Sequence, residues 1–153
     1  MERVGVLALL DGTAHDYAHM ARPLLRALDD TQHFRLDVVT GHAHLNLDRH
    51  RVVFAASDHA LDAGRGADLT RFVQRGGGLV LLHGTLAAWS TAGELSQLAG
   101  WASSGPGPLT ELVVRPAGAH PLTARMPSEW KVRDELYLSE GPPAQATVLL
   151  RSS

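Results

Sequence analysis

The chain contains no cysteine. That absence excludes disulfides, thiolate metal sites and a cysteine nucleophile together. Lysine is nearly missing as well: Lys131 stands alone, and the remaining positive charge is scattered arginine. With a formal net charge of −2 and no basic run, there is no stripe for a polyanion, so no nucleic-acid partner is expected. Long apolar runs are lacking too. The amino-terminal stretch from Val4 to Leu10 is too short to span a bilayer, and no small-residue cleavage site follows it. A cytoplasmic protein with no membrane partner is therefore expected. Aromatic residues make up only 5% of the chain, whereas histidine occurs nine times.

What is present suffices for one core. At 153 residues and 44% hydrophobic, the chain reads as a single domain over 1–153. Its organising stretch is Arg75-Gly76-Gly77-Gly78-Leu79-Val80-Leu81-Leu82-His83-Gly84-Thr85. Glycines supply the positive φ that ends a helix and turns the chain without a Cβ clash. The apolar run Leu79 to Leu82 then fits a strand covered on both faces, as in a parallel sheet. His83 falls at the carboxyl end of that strand, where open α/β sheets bind ligands.

In order along the chain, residues 3–10 read as the first strand, ending in the turn Asp11-Gly12-Thr13-Ala14-His15-Asp16. A helix is expected over 22–28, with Pro23 in its first turn. Strands follow over 34–39 and 51–56, the latter closing on Ser57-Asp58-His59. Asp62 should N-cap a helix with Leu69, Phe72 and Val73 inward, stopped by Gly76. Beyond His83, Thr91 and Glu94 have capping-box spacing ahead of a short helix with Leu95 and Leu98 inward, closed by Gly100. Residues 103–108 are loop-like by composition, and strands are expected over 109–114 and 147–150. Strands alternating with helical patterns indicate a doubly wound, mainly parallel α/β sheet of flavodoxin-like, three-layer α/β/α type.

Parallel strands place their carboxyl ends side by side, so part of the polar set they deliver should share one crevice. That set comprises Asp11, Gly12, His15 and Asp16, then His42 and His44, then Ser57, Asp58 and His59, then His83 and Gly84. Imidazoles with carboxylates can transfer protons near neutral pH, or hold a divalent metal such as zinc, with His15 and His83 as ligands. His19, His33 and His50 read instead as solvated loop residues. Ser57, Asp58 and His59 are chain neighbours and point different ways, so they form no triad. Gly64-Arg65-Gly66-Ala67 lacks the third glycine of a dinucleotide motif, and Gly76 to Gly78 precede a strand rather than a helix.

Four blocks together resemble the trehalose-utilisation (ThuA-like) family, whose fold is that of class I glutamine amidotransferases. They are Gly12-Thr13-Ala14-His15-Asp16, the run from Phe72 to Gly84, His120-Pro121-Leu122-Thr123, and Asp134-Glu135-Leu136-Tyr137. The resemblance implies a site at the strand ends and a role in carbohydrate metabolism, without glutamine hydrolysis by a cysteine route. It points to His15, Asp16, His83, His120, Asp134 and Glu135. Relative to the family the chain is short at its carboxyl end, and Trp101 to Pro106 carry no histidine.

Two functions are consistent with these residues. In one, a sugar-type small molecule is acted on by His83, Asp134 and Glu135 as catalytic groups. Its binding residues would be Asp11, Gly12, His15, Asp16, Ser57, Gly84, Trp89, His120 and Tyr137, with Trp89 and Tyr137 at the mouth. In the other, the chain is a non-catalytic ligand- or metal-binding module that pairs with itself. Trp101 and Trp130 are candidates for a self-association face or for the core, and a dimer is expected.

Overall fold

The computed structural model describes residues 2–41, 45–89, 94–99, 103–139 and 146–153. It divides into two compact units, Met1–Ala99 and Gly100–Ser153, where the sequence suggests one domain.

The first unit runs β1 (Val4–Asp11), α1 (Tyr17–Asp30), β2 (Phe34–Thr40), β3 (Val52–Ser57), α2 (Ala63–Gln74), β4 (Gly78–Leu82), α3 (Thr85–Ala88) and α4 (Glu94–Ala99). Its four strands are all parallel in the order β2-β1-β3-β4, the doubly wound arrangement expected from the pattern. Strand side chains alternate between faces, and the two central strands are apolar on both. Leu7, Leu9, Val53 and Ala55 pack on one side with Leu69 and Phe72 of α2. Val6, Ala8, Leu10, Phe54 and Ala56 pack on the other with Tyr17 and Ala21 of α1.

Local chemistry explains the boundaries. The Asp62 side chain accepts from the Arg65 backbone N–H at 3.0 Å and caps α2. At the other end, Gly76 has φ +90° and its N–H donates to the Val73 carbonyl, while the Gly77 N–H donates to the Phe72 carbonyl. These two bonds form a Schellman motif. A Cβ at Gly77 would lie 2.4 Å from the Phe72 ring, so the glycine run is required by packing as well as by the turn.

Several expectations need correction. Helix α1 is twice the expected length because Asp16 caps it: its carboxylate accepts from the His19 N–H at 2.9 Å. Pro23 therefore lies in the helix interior rather than its first turn. His50 is not a solvated loop residue. It is buried, with Nδ1 2.7 Å from the Asn46 carbonyl and Nε2 2.7 Å from Asp37 Oδ2. Leu95 is inward as expected, but Leu98 is 46% exposed. His42, His44, Thr91, Gly100 and Trp101 lie outside the described residues.

The second unit is an antiparallel sheet of β5 (Ser103–Pro116), β6 (Trp130–Ser139) and β7 (Leu150–Ser152), in the order β6-β5-β7. The loop expected over 103–108 is the start of β5, carried by register shifts between Ser103, Pro106 and Leu109. Such irregularities let a strand accommodate glycine and proline. The last strand begins at Leu150, not at residue 147. Among the described residues, no helix is long and apolar enough to cross a membrane.

Candidate functional site

Strand β1 lies next to β3, and β3 next to β4, so the loops after these strands adjoin at one edge of the sheet. His15 follows β1 and His83 follows β4. Their rings meet with 3.1 Å between the two Nε2 atoms and an edge-on arrangement, centroids 4.8 Å apart. Two imidazole nitrogens at that distance share one hydrogen: one Nε2 donates and the other accepts.

The backbone is shaped to make this contact. His83 has φ +53°, a left-handed conformation that costs a non-glycine residue about 1–2 kcal/mol. It sits between the end of β4 and the start of α3, a sharp strand-to-helix turn that projects its side chain beyond the sheet. Behind it, the buried Thr85 hydroxyl holds the turn against β3. Thr85 Oγ1 donates to the Leu82 carbonyl at 2.6 Å and accepts from the Ser57 N–H at 2.7 Å.

His15 is held from a different direction. The Asp58 carboxylate accepts from the Ala14 N–H at 2.7 Å and the Thr13 N–H at 3.0 Å, fixing the loop that carries His15. Burial pushes the Asp58 carboxyl upward. Those backbone donors, the neighbouring His59 and the Tyr17 hydroxyl outweigh it and hold the group below the usual carboxylate range. Gly12 makes the approach possible: it has φ +152°, and a Cβ there would lie 2.7 Å from Asp58 Oδ1 and 2.4 Å from Tyr17 Cε2. Tyr17 in turn meets the His15 ring edge-on, centroids 5.6 Å apart.

His59 completes the first unit's polar cluster. Its Nδ1 lies 3.1 Å from Asp11 Oδ2 and its Nε2 3.8 Å from Asp58 Oδ1. Its N–H donates to Ser57 Oγ at 3.1 Å, and its carbonyl accepts from the Trp89 indole N–H at 3.1 Å. Trp89, expected at the mouth, is 3% exposed and belongs to the core, where it braces this loop. Ser57 is buried, Asp16 serves as the α1 cap, and Gly84 is the turn residue ahead of α3.

The other sequence candidates belong to the second unit. His120 Nδ1 accepts from the Leu122 N–H at 3.1 Å, which leaves its hydrogen on Nε2 when the ring is neutral. Asp134 and Glu135 lie on β6 and, as strand neighbours, take opposite faces. Glu135 shares its face with Tyr137, whose phenol is pushed upward by burial and then by the Glu135 and Asp134 charges.

Sequence reasoning missed Asp58 as the clamp and Thr85 as the brace. Asp58 carries a signal, an acid directly after a buried strand, whereas nothing marks Thr85 in the sequence. For a metal, the His15 and His83 nitrogens could supply two ligands. Among the described residues, however, no three histidine, aspartate or glutamate side chains converge as a ligand set.

The fold is shared with solved structures. A ThuA-like protein from Parabacteroides merdae is 18% identical with a TM-score of 0.79, covering 99% of this chain and 68% of that one. One from Bacteroides uniformis is 19% identical with a TM-score of 0.80 and the same coverage. A glutamine amidotransferase from Thermotoga maritima is 11% identical with a TM-score of 0.59, covering 98% of this chain and 67% of that one. No curated protein matches the chain. The family model described as trehalose utilisation (ThuA) matches residues 3–153, and the chain belongs to that family.

Proposed function

We propose that this protein binds a sugar-type small molecule at the carboxyl ends of β1, β3 and β4 and acts on it by proton transfer through His15 and His83. The observation that carries this reading is the 3.1 Å contact between the two Nε2 atoms. A hydroxyl of the ligand that displaces one imidazole from the other meets a lone pair on one ring and an N–H on its neighbour. One ring can then accept the hydroxyl proton at Nε2 while the other donates to an adjacent oxygen. The family's description, trehalose utilisation, favours a disaccharide and a place in carbohydrate metabolism.

Glutamine hydrolysis through a thioester is not part of this function, because the chain has no cysteine to form one. His83 stands at the strand-to-helix turn, and an imidazole there serves proton transfer rather than acyl transfer.

The test is to titrate the ¹⁵N-labelled protein with trehalose and follow the histidine ring signals while the sugar is assayed for conversion. Saturable shifts of the His15 and His83 rings, absent in His83→Ala, support the site. If neither ring moves with trehalose, the reading fails. Shifts without conversion of the sugar would leave binding and remove catalysis.

A further inference from the structure

A second feature lies away from the histidine pair, along the open side of α1. Strand β2 is an edge of the parallel sheet, and α1 only partly covers the face it turns toward that helix. Phe34 and Leu36 are half-buried there, and Val38, next on the same face, is 53% exposed. Together with Leu10 and Leu25 they floor an open groove of about 620 Å³. That volume lies within the range of small-molecule sites.

The rim is unusual in charge. Arg3, Arg22, Arg26 and Arg35 line the groove against a single acid, Asp29. Two of these arginines are engaged: Arg3 donates to Gln32 Oε1, and Arg35 donates to the Arg49 carbonyl at 2.8 Å. Arg22 and Arg26 make no ion pair or side-chain hydrogen bond among the described residues. They stand one helical turn apart on α1, where like charges repel at a local cost to the helix. An anion between them would relieve that repulsion, and two guanidinium forks suit a carboxylate. None of the groove's lining residues belongs to the His15–His83 cluster or its supports.

We propose that this groove binds an amphipathic carboxylate, with its apolar chain on Phe34, Leu36 and Val38 and its carboxylate between Arg22 and Arg26. The apolar floor and the cationic rim each recognise one half of such a molecule. A free single-chain acid fits better than a membrane surface because the groove is a trough between helix and strand rather than an outward face.

The test uses sodium octanoate as the probe and backbone amide shifts of the full chain as the readout. Octanoate should produce saturable shifts confined to α1 and β2. Loss of two charge-assisted contacts should weaken binding about tenfold in the double variant Arg22→Gln/Arg26→Gln. Both positions are exposed on α1, so the variant should keep its fold by circular dichroism. Val38→Glu, which places a carboxylate on the exposed part of the floor, should weaken octanoate binding in the same assay. Binding of 1-octanol as tight as octanoate would overturn the proposal. So would an unchanged affinity in the double variant, or binding to anionic phospholipid vesicles with no response to octanoate.

Discussion

His15 and His83 are 68 positions apart in the chain, yet their Nε2 atoms lie 3.1 Å from each other. Two independent devices bring them there. Asp58 fixes the loop of one, and a left-handed turn backed by Thr85 projects the other. Each device can be removed separately, which makes the arrangement open to test.

Asp58→Ala removes the acceptor for the Thr13 and Ala14 N–H groups. Because that loop is exposed, water replaces part of the loss, and the fold should lose only about 1 kcal/mol. The His15 ring should lose its fixed position, seen as averaged ring signals. The charge also sets a pH dependence. A carboxylate held below its usual value stabilises the folded chain above the unfolded value and loses that contribution as pH falls through the folded one. The acid limb of a denaturation series should therefore be shallower in Asp58→Asn than in the parent.

Gly12→Ala should be the most damaging small substitution in the loop. The new Cβ would have to occupy space taken by Tyr17 Cε2 and Asp58, at a φ of +152°. Gly41→Ala also meets a positive φ, +76°, but nothing within 4 Å. Denaturant unfolding should show a loss of about 1 kcal/mol for Gly41→Ala and at least twice that for Gly12→Ala.

Replacing His83 separates strain from chemistry. Alanine removes the ring but keeps the unfavourable φ, whereas glycine removes both. His83→Gly should be about 1 kcal/mol more stable than His83→Ala, with both losing the contact to His15. Equal stabilities would mean that the turn is not strained.

The Asp37–His50 pair gives a second pH signature, on the opposite side of the sheet's edge strand from the groove. Both ring nitrogens of His50 lie 2.7 Å from oxygens, one of them a carboxylate that can only accept. The hydrogen bond from His50, followed by the charges of His50, Arg35 and Arg49, outweighs burial and lowers the Asp37 carboxyl. The stabilisation is present above the unfolded value of 3.8 and fades as pH drops below it. Asp37→Asn should flatten that part of the stability profile, and His50→Ala should lower the melting temperature by several degrees at neutral pH.

How much of this was legible in the sequence follows from local chemistry. The doubly wound class could be read from Val4 to Leu10, residues 51–56 and Leu79 to Leu82, because strands apolar on both faces leave few other folds open. The convergence of His15 and His83 followed from the rule that parallel strands end together. Pro23 hid the length of α1, since a proline ordinarily marks a first turn and the Asp16 cap lies seven residues before it. The start of β5 was hidden because Gly105, Pro106, Gly107 and Pro108 suggest a loop, and only pairing with β6 holds them extended. His50 looked solvated because its partner Asp37 is 13 positions away, on β2.

The central claim is that His15 and His83 form one hydrogen-bonded unit at the strand ends. A ¹⁵N–¹⁵N coupling across that hydrogen bond, measured between the two ring Nε2 atoms, tests it without any ligand. A cross-peak joining His15 Nε2 to His83 Nε2, lost in His15→Ala and His83→Ala, is the expected result. Two uncoupled rings whose signals ignore each other's substitution would contradict it.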